Sequence, residues 1–178
     1  MAASSTPSAK PRAGEQNAAA PAPPHGTGAA EFHVAVGDRV TFSKTIGEVD
    51  IYLFAGITGD FSGNHIDEEY MRRSAYGGRI AHGALMVGFM STCSTLMIAR
   101  CVAKGIGETP VSLGYDHVRF LKPVHIGDTV TVVYTITSVE RERRRSRAAI
   151  DVKNQREELV AVAEHILKWV PHAHESAP

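Results

Sequence analysis

Cysteine is scarce in this chain: Cys93 and Cys101 are the two among 178 residues. They stand in one apolar segment, lack the CxxC spacing of a redox motif and are too few for a zinc site. Buried, reduced thiols are therefore expected. An excess of one charge is missing too. The 19 basic and 19 acidic residues give a formal net charge of zero, and that balance asks for neither a nucleic acid nor an anionic membrane as partner. No apolar run reaches the ~20 residues of a spanning helix. The nearest, 83–99, contains Ser91, Thr92, Ser94 and Thr95 and reads as a helix buried inside a domain. Residues 1–30, rich in Ala, Pro, Ser and Gly, have no hydrophobic stretch of a secretory signal. They are expected to form a disordered leader, with 171–178 as a flexible tail and the cytoplasm as the compartment.

What is present fits one domain over 31–170, since 43% of the residues are apolar and the length suffices for a core. Weak alternation over 36–45 predicts a first strand. Ile51, Phe54, Ala55 and Thr58 share helical spacing, and Gly59 is placed to end that helix. Asp67 is an expected N-cap for a short helix, which Tyr76-Gly77-Gly78 breaks. The long apolar helix runs from Gly83 to about Ala103. Strands are then predicted over 111–121, 129–139, 148–153 and 160–170, with Val130, Val132, Tyr134 and Ile136 on one face. One strand, several helices and four strands joined by short turns make an α+β fold. An antiparallel five-stranded sheet wrapped around the long helix satisfies the pattern.

Two motifs carry chemistry. Gly59-Asp60-Phe61-Ser62-Gly63-Asn64-His65 sets a carboxylate and an imidazole on one loop. Gly78-Arg79-Ile80-Ala81-His82-Gly83 ends where the long helix begins, and the free N–H groups there suit an anionic oxygen. A base, a proton carrier and an oxyanion site are the parts needed to add water to a polarised double bond. Two readings stand for Gly83: room for a docking carbonyl, or close packing, the role also expected of Gly88. His82 is expected to be structural, bonding a backbone group in the turn. The run from Arg141 to Arg147 reads as a solvated hairpin end or as a grip on phosphates. Asp116, His117 and His125 give no metal geometry.

These motifs, with Val118-Arg119-Phe120-Leu121-Lys122-Pro123-Val124 and Gly127-Asp128 after them, resemble the MaoC-like hotdog-fold hydratases, in particular the (R)-specific enoyl-CoA hydratases. The resemblance covers about residues 34–170. It implies a hotdog fold, a homodimer with sheets joined edge to edge, an acyl-CoA thioester as substrate, and no metal or redox cofactor. Asp60 and His65 would be the catalytic pair, sharing one water, and the N–H of Gly83 would bind the thioester carbonyl. Ser62, Asn64, Arg119 and Lys122 are the expected substrate contacts. Where the family commonly has Asn-Pro and an aliphatic residue, this chain has Ser62-Gly63-Asn64, losing proline's rigidity and gaining an amide. Leu85, Met86 and Phe89 line an acyl tunnel or pack the core. A hotdog thioesterase is the alternative enzyme, though such enzymes often carry an acid on the long helix and 83–99 has none. A non-catalytic acyl-CoA-binding hotdog subunit is the third reading.

Overall fold

The computed structural model describes residues 32–103 and 107–172; the expected leader, and the expected tail from residue 173, lie outside them. Strand β1 (Arg39–Thr45) leads into three helices, α1 (Glu48–Thr58), α2 (Gly63–Ile66) and α3 (Glu68–Arg72). The long helix α4 (Gly83–Val102) precedes β2 (Glu108–Phe120), β3 (Thr129–Glu140), β4 (Arg145–Lys153) and β5 (Leu159–Pro171). The strands form one five-stranded sheet in the order β1-β3-β4-β5-β2, every pair antiparallel. Pro171, expected in the frayed tail, instead closes β5 opposite Glu108.

Local chemistry sets the helix ends. Gly59 takes a left-handed φ of 79° and its N–H bonds the Ala55 carbonyl, the geometry in which glycine ends a helix without strain. The Asp67 carboxylate accepts from the Tyr70 N–H at 2.9 Å, capping α3. One expectation fails locally. The stretch around His65 is not irregular loop throughout, because Gly63–Ile66 makes a helical turn that Ser62 opens through its carbonyl, accepting from the His65 N–H.

The core lies between the sheet and one face of α4. Met86, Phe89, Met90, Cys93, Met97 and Cys101 recur at helical spacing and are buried against Val130, Val132, Tyr134 and Ile136 of β3 and their neighbours on β4 and β5. A fully buried Met or Phe adds about 1.5–3 kcal/mol, so this stripe is what fixes α4 on the sheet. The buried Cys93 thiol is pushed up to about 11 by desolvation, which keeps it unreactive.

In the single chain α4 is not enclosed on most of its circumference. Ala84, Gly88, Ser91, Thr92, Thr95, Leu96 and Ala99 face outward, because one sheet covers one side of a helix. Gly88 has open space among the described residues where a Cβ would stand, so it does not bring helix and sheet together within this chain. By length and composition α4 could cross a membrane, yet its most apolar face is spent on the core.

Helices α1 to α3 form the connection from β1 to α4. Arg79 ties them: its guanidinium donates to Glu48 at the start of α1 and to Glu68 of α3, the latter at 3.0 Å. The Glu48 hydrogen bonds, first among the causes, hold its pKa above the ordinary arginine value.

Candidate active site

The α1–α3 connection and the start of α4 meet over a cavity of about 260 Å³. It is lined by His65, Tyr76, Ile80, Ala81, His82, Gly83 and Met86, and by Phe120 to Val124 with Val160. The wall is joined by backbone: the Ala81 N–H donates to the Val124 carbonyl at 2.7 Å, and the Ile80 N–H to the Asn64 carbonyl at 3.1 Å. Loop, helix and strand end are thus held in one frame.

Asp60 stands beside this cavity, exposed, just past the Gly59 cap of α1. Its Oδ1 accepts from the Ser62 N–H at 3.3 Å. His65 reaches in from α2 and donates Nδ1–H to the Ile80 carbonyl at 2.7 Å. A carbonyl can only accept, so Nδ1 carries a proton and Nε2 is the nitrogen left to take up or give one. Asp60, His65 and His82 each bring one ligand atom within 4.8 Å of the other two.

Their rings do not suit a shared metal ion. An imidazole binds a metal through a lone pair in the ring plane, about 2 Å from the ion. The His65 and His82 rings are stacked, centroids 3.7 Å apart and 28° from parallel. Planes so disposed do not meet that close to the rings.

His82 is the residue that sequence reasoning undervalued. It was expected to bond a backbone group in the turn; its Nε2–H instead donates to the Asp60 carbonyl, in the other motif, at 3.0 Å. The stack on His65 carried no local signal, since 17 positions separate the two.

Gly83 opens α4 with no side chain capping the helix; the Leu85 N–H bonds back to the His82 carbonyl at 3.1 Å, which leaves the N–H groups of Gly83 and Ala84 without a partner inside the helix. A Cβ on Gly83 would stand 2.6 Å from the Phe120 ring. A side chain there would have to push that ring aside, a contact that fits the packing reading and leaves the docking-carbonyl reading open. Phe120 is 53% exposed yet lies against this helix start. Tyr76, Phe120 and Leu121 were not singled out as lining residues beforehand; β-strand and turn positions give no hint of which cavity they will face.

Of the expected substrate contacts, Lys122 lines the cavity, and its Nζ donates to Glu158 at 2.7 Å. Hydrogen bonds from Asn154, then Lys122 and Arg156, hold Glu158 down at about 2. Ser62, Asn64 and Arg119 are exposed and lie outside the cavity lining, and the Arg119 guanidinium donates to the Val118 carbonyl at 2.7 Å. Among Leu85, Met86 and Phe89, Met86 lines the cavity, whereas Phe89 packs on Phe42.

The arginine run does not reach this site within one chain. Arg145 pairs with Lys168 on β5, while the cavity touches Val160, eight positions away or roughly 26 Å at strand rise. Arg143, Arg144 and Arg147 are paired with Glu140, Glu108 and Glu164 respectively. A solvated, ion-paired hairpin is the reading that fits.

Comparison with known proteins agrees with this architecture. The model of the MaoC like domain matches residues 31–158. An (R)-specific enoyl-CoA hydratase of Rhodospirillum rubrum is 38% identical over 108 residues, 61% of this chain and 69% of that protein. A 3-hydroxybutyryl-CoA dehydratase of Methylorubrum extorquens is 33% identical over 143 residues, 80% of this chain and 85% of its own. The solved (R)-hydratase of A. caviae superposes with a TM-score of 0.68 at 24% identity, covering 76% of this chain and 96% of that one; it shares the fold. With its five-stranded sheet, long helix and matched domain, the chain belongs to the MaoC-like family of hotdog-fold dehydratases and hydratases.

Proposed function

We propose that this chain is an (R)-specific enoyl-CoA hydratase, adding water to trans-2-enoyl-CoA and, in reverse, dehydrating 3-hydroxyacyl-CoA. The supporting observation is the placement of the Asp60 carboxylate within 4.8 Å of the His65 ring beside a cavity that ends at the uncapped start of α4. One water bridged by two hydrogen bonds of about 2.8 Å spans up to about 5.6 Å, so it fits between the two groups.

In this reading Asp60 takes a proton from the water as its oxygen bonds to C3. Electron density shifts through C2 onto the thioester oxygen, where the Gly83 N–H and the positive end of α4 stabilise it. His65 then delivers a proton to C2 from Nε2, because Nδ1 is occupied by the Ile80 carbonyl. The pair carries one transferable proton between them, so one proton taken from water is balanced by one given to carbon. Exchanging which member starts protonated exchanges the roles of base and acid. Lys122 at the cavity wall would attract the anionic carrier arm, Arg119 would do so further out, and Ser62 and Asn64 would shape the loop that holds the water. No metal or redox cofactor takes part in this scheme, and the cytoplasm is the compartment it fits.

A homodimer accompanies it. Strand β2 is a sheet edge, 13 residues long, with Val111, Leu113 and Phe120 exposed, and the outward face of α4 is mostly small residues with Leu96 among them. Long uncovered edges of this kind pair with another strand.

The test is a panel of enoyl thioesters, from crotonyl-CoA upward. Loss of the conjugated enoyl absorbance without release of thiol, giving the (R)-alcohol, is expected. Thiol release would establish the thioesterase instead, a reading that the absence of Asp and Glu from α4 disfavours. Binding with neither change would leave an acyl-CoA-binding subunit.

A further inference from the structure

We propose that His82 is the positioning residue of the Asp60–His65 pair, fixing the backbone of the first and the ring of the second; its kinetic consequences rest on the hydratase reading above. Three contacts carry the inference. The Nε2–H of His82 donates to the Asp60 carbonyl at 3.0 Å, which anchors the peptide following the carboxylate. One face of its ring covers the His65 ring at 3.7 Å, limiting rotation of that imidazole about its own side chain. The ring of Phe54 on α1 packs against His82, centroids 4.8 Å apart, so the plate itself is backed.

The residue is well placed for this work. It is 2% exposed and immediately precedes α4, the element most firmly seated on the sheet. Among the described residues its buried Nδ1 has no hydrogen-bond partner, a feature that costs stability. A side chain retained only for packing would avoid that orphan atom by being apolar. A side chain retained only to bond the Asp60 carbonyl would not need a flat face. A compact ring with an N–H on its edge supplies both contacts at once, and histidine is the side chain of that size and chemistry.

Two variants divide the contacts. His82→Phe keeps the plate and loses the donor; His82→Gln keeps a donor and loses the plate. Both are expected to lower kcat on crotonyl-CoA at least tenfold with KM within twofold of wild type. In a double-mutant cycle, adding His82→Gln to His65→Asn is expected to cost no further rate, since a positioning residue has nothing left to position. Wild-type kcat in either variant, or fully additive losses in the cycle, overturns the proposal.

A readout without substrate separates this idea from the assigned activity. In 15N-histidine NMR of the wild-type protein, the Nδ1 of His65 is expected to stay protonated across the titration of Nε2. His82→Gln is expected to mix the tautomers or broaden the ring signals. Unchanged His65 signals in a folded His82→Gln protein would also overturn it, whereas absence of hydration in the wild type would sink the activity and leave the ring measurement standing.

Discussion

At the scale of single residues the cavity poses sharp tests. Asp60→Asn keeps the volume and the Ser62 N–H contact but removes the base, so kcat is expected to fall by about 10²–10⁴-fold with an unchanged urea midpoint. Near-normal turnover would remove Asp60 from the chemistry. Gly83→Ala meets the Phe120 ring at 2.6 Å. Phe120 is half exposed and can swing aside, so the stability loss should stay below the ~1–3 kcal/mol of overpacking a closed core, and the rate should fall further than the stability. The double variant Gly83→Ala/Phe120→Leu relieves the clash, and stability should return towards wild type. Should the rate return as well, the glycine is needed for space and its N–H still serves. A rate that stays low points to crowding of the carbonyl itself. The Asp60/His65 spacing was legible in the sequence because one short loop carries both. The Phe120 contact was not, since 37 positions separate it from Gly83.

Among elements, Arg79 ties α1 to α3 within the connection that carries Asp60 and His65. Its guanidinium joins Glu48 and Glu68, with the arginine itself 12% exposed. Arg79→Met is expected to loosen α1 against α3 and move Asp60 relative to His65. Misplacements of about 1 Å can cost 10²-fold in rate, so kcat should fall further than the modest shift in urea midpoint. Hydrogen exchange should rise in 48–72 and stay unchanged in β3. Equal exchange across the chain would mean that Arg79 merely stabilises the whole fold. Most element ends could be read beforehand, because Gly59 and Asp67 act on their own neighbours. The helical turn at Gly63–Ile66 could not: four residues hold too little pattern, and the turn is pinned by Ile80 bonding back to Asn64.

For the molecule as a whole, a buried polar network predicts how stability depends on pH. His165 is 0% exposed; its Nδ1 contacts the Tyr134 hydroxyl and its Nε2 the Ser112 hydroxyl, each at 2.8 Å. Burial pulls its pKa from 6.5 down to about 4. The folded state therefore binds fewer protons than the unfolded state between those values, and stability falls as the pH drops through that window. The expected loss approaches about 1.4 kcal/mol per pH unit. His33, lowered by burial and then by Arg144, acts in the same direction, while Glu158 adds its loss at lower pH, below its ordinary 4.5. Urea unfolding at several pH values should show His165→Gln with a flatter slope over this window; an identical slope would clear His165 of the effect. At the β2 edge, Leu113→Lys is expected to convert a dimer to monomers in sedimentation, and an unchanged mass would place the interface elsewhere. The amino-acid order by itself determined the strands, the long helix and the loop that carries Asp60 and His65, since alternation, helical spacing and capping act between near neighbours. Tertiary structure alone decided the His65–His82 stack, the Phe120 wall and the exile of the arginine hairpin from the cavity. Those depend on strand register and on how helix and sheet meet, which bring together residues that no local pattern links.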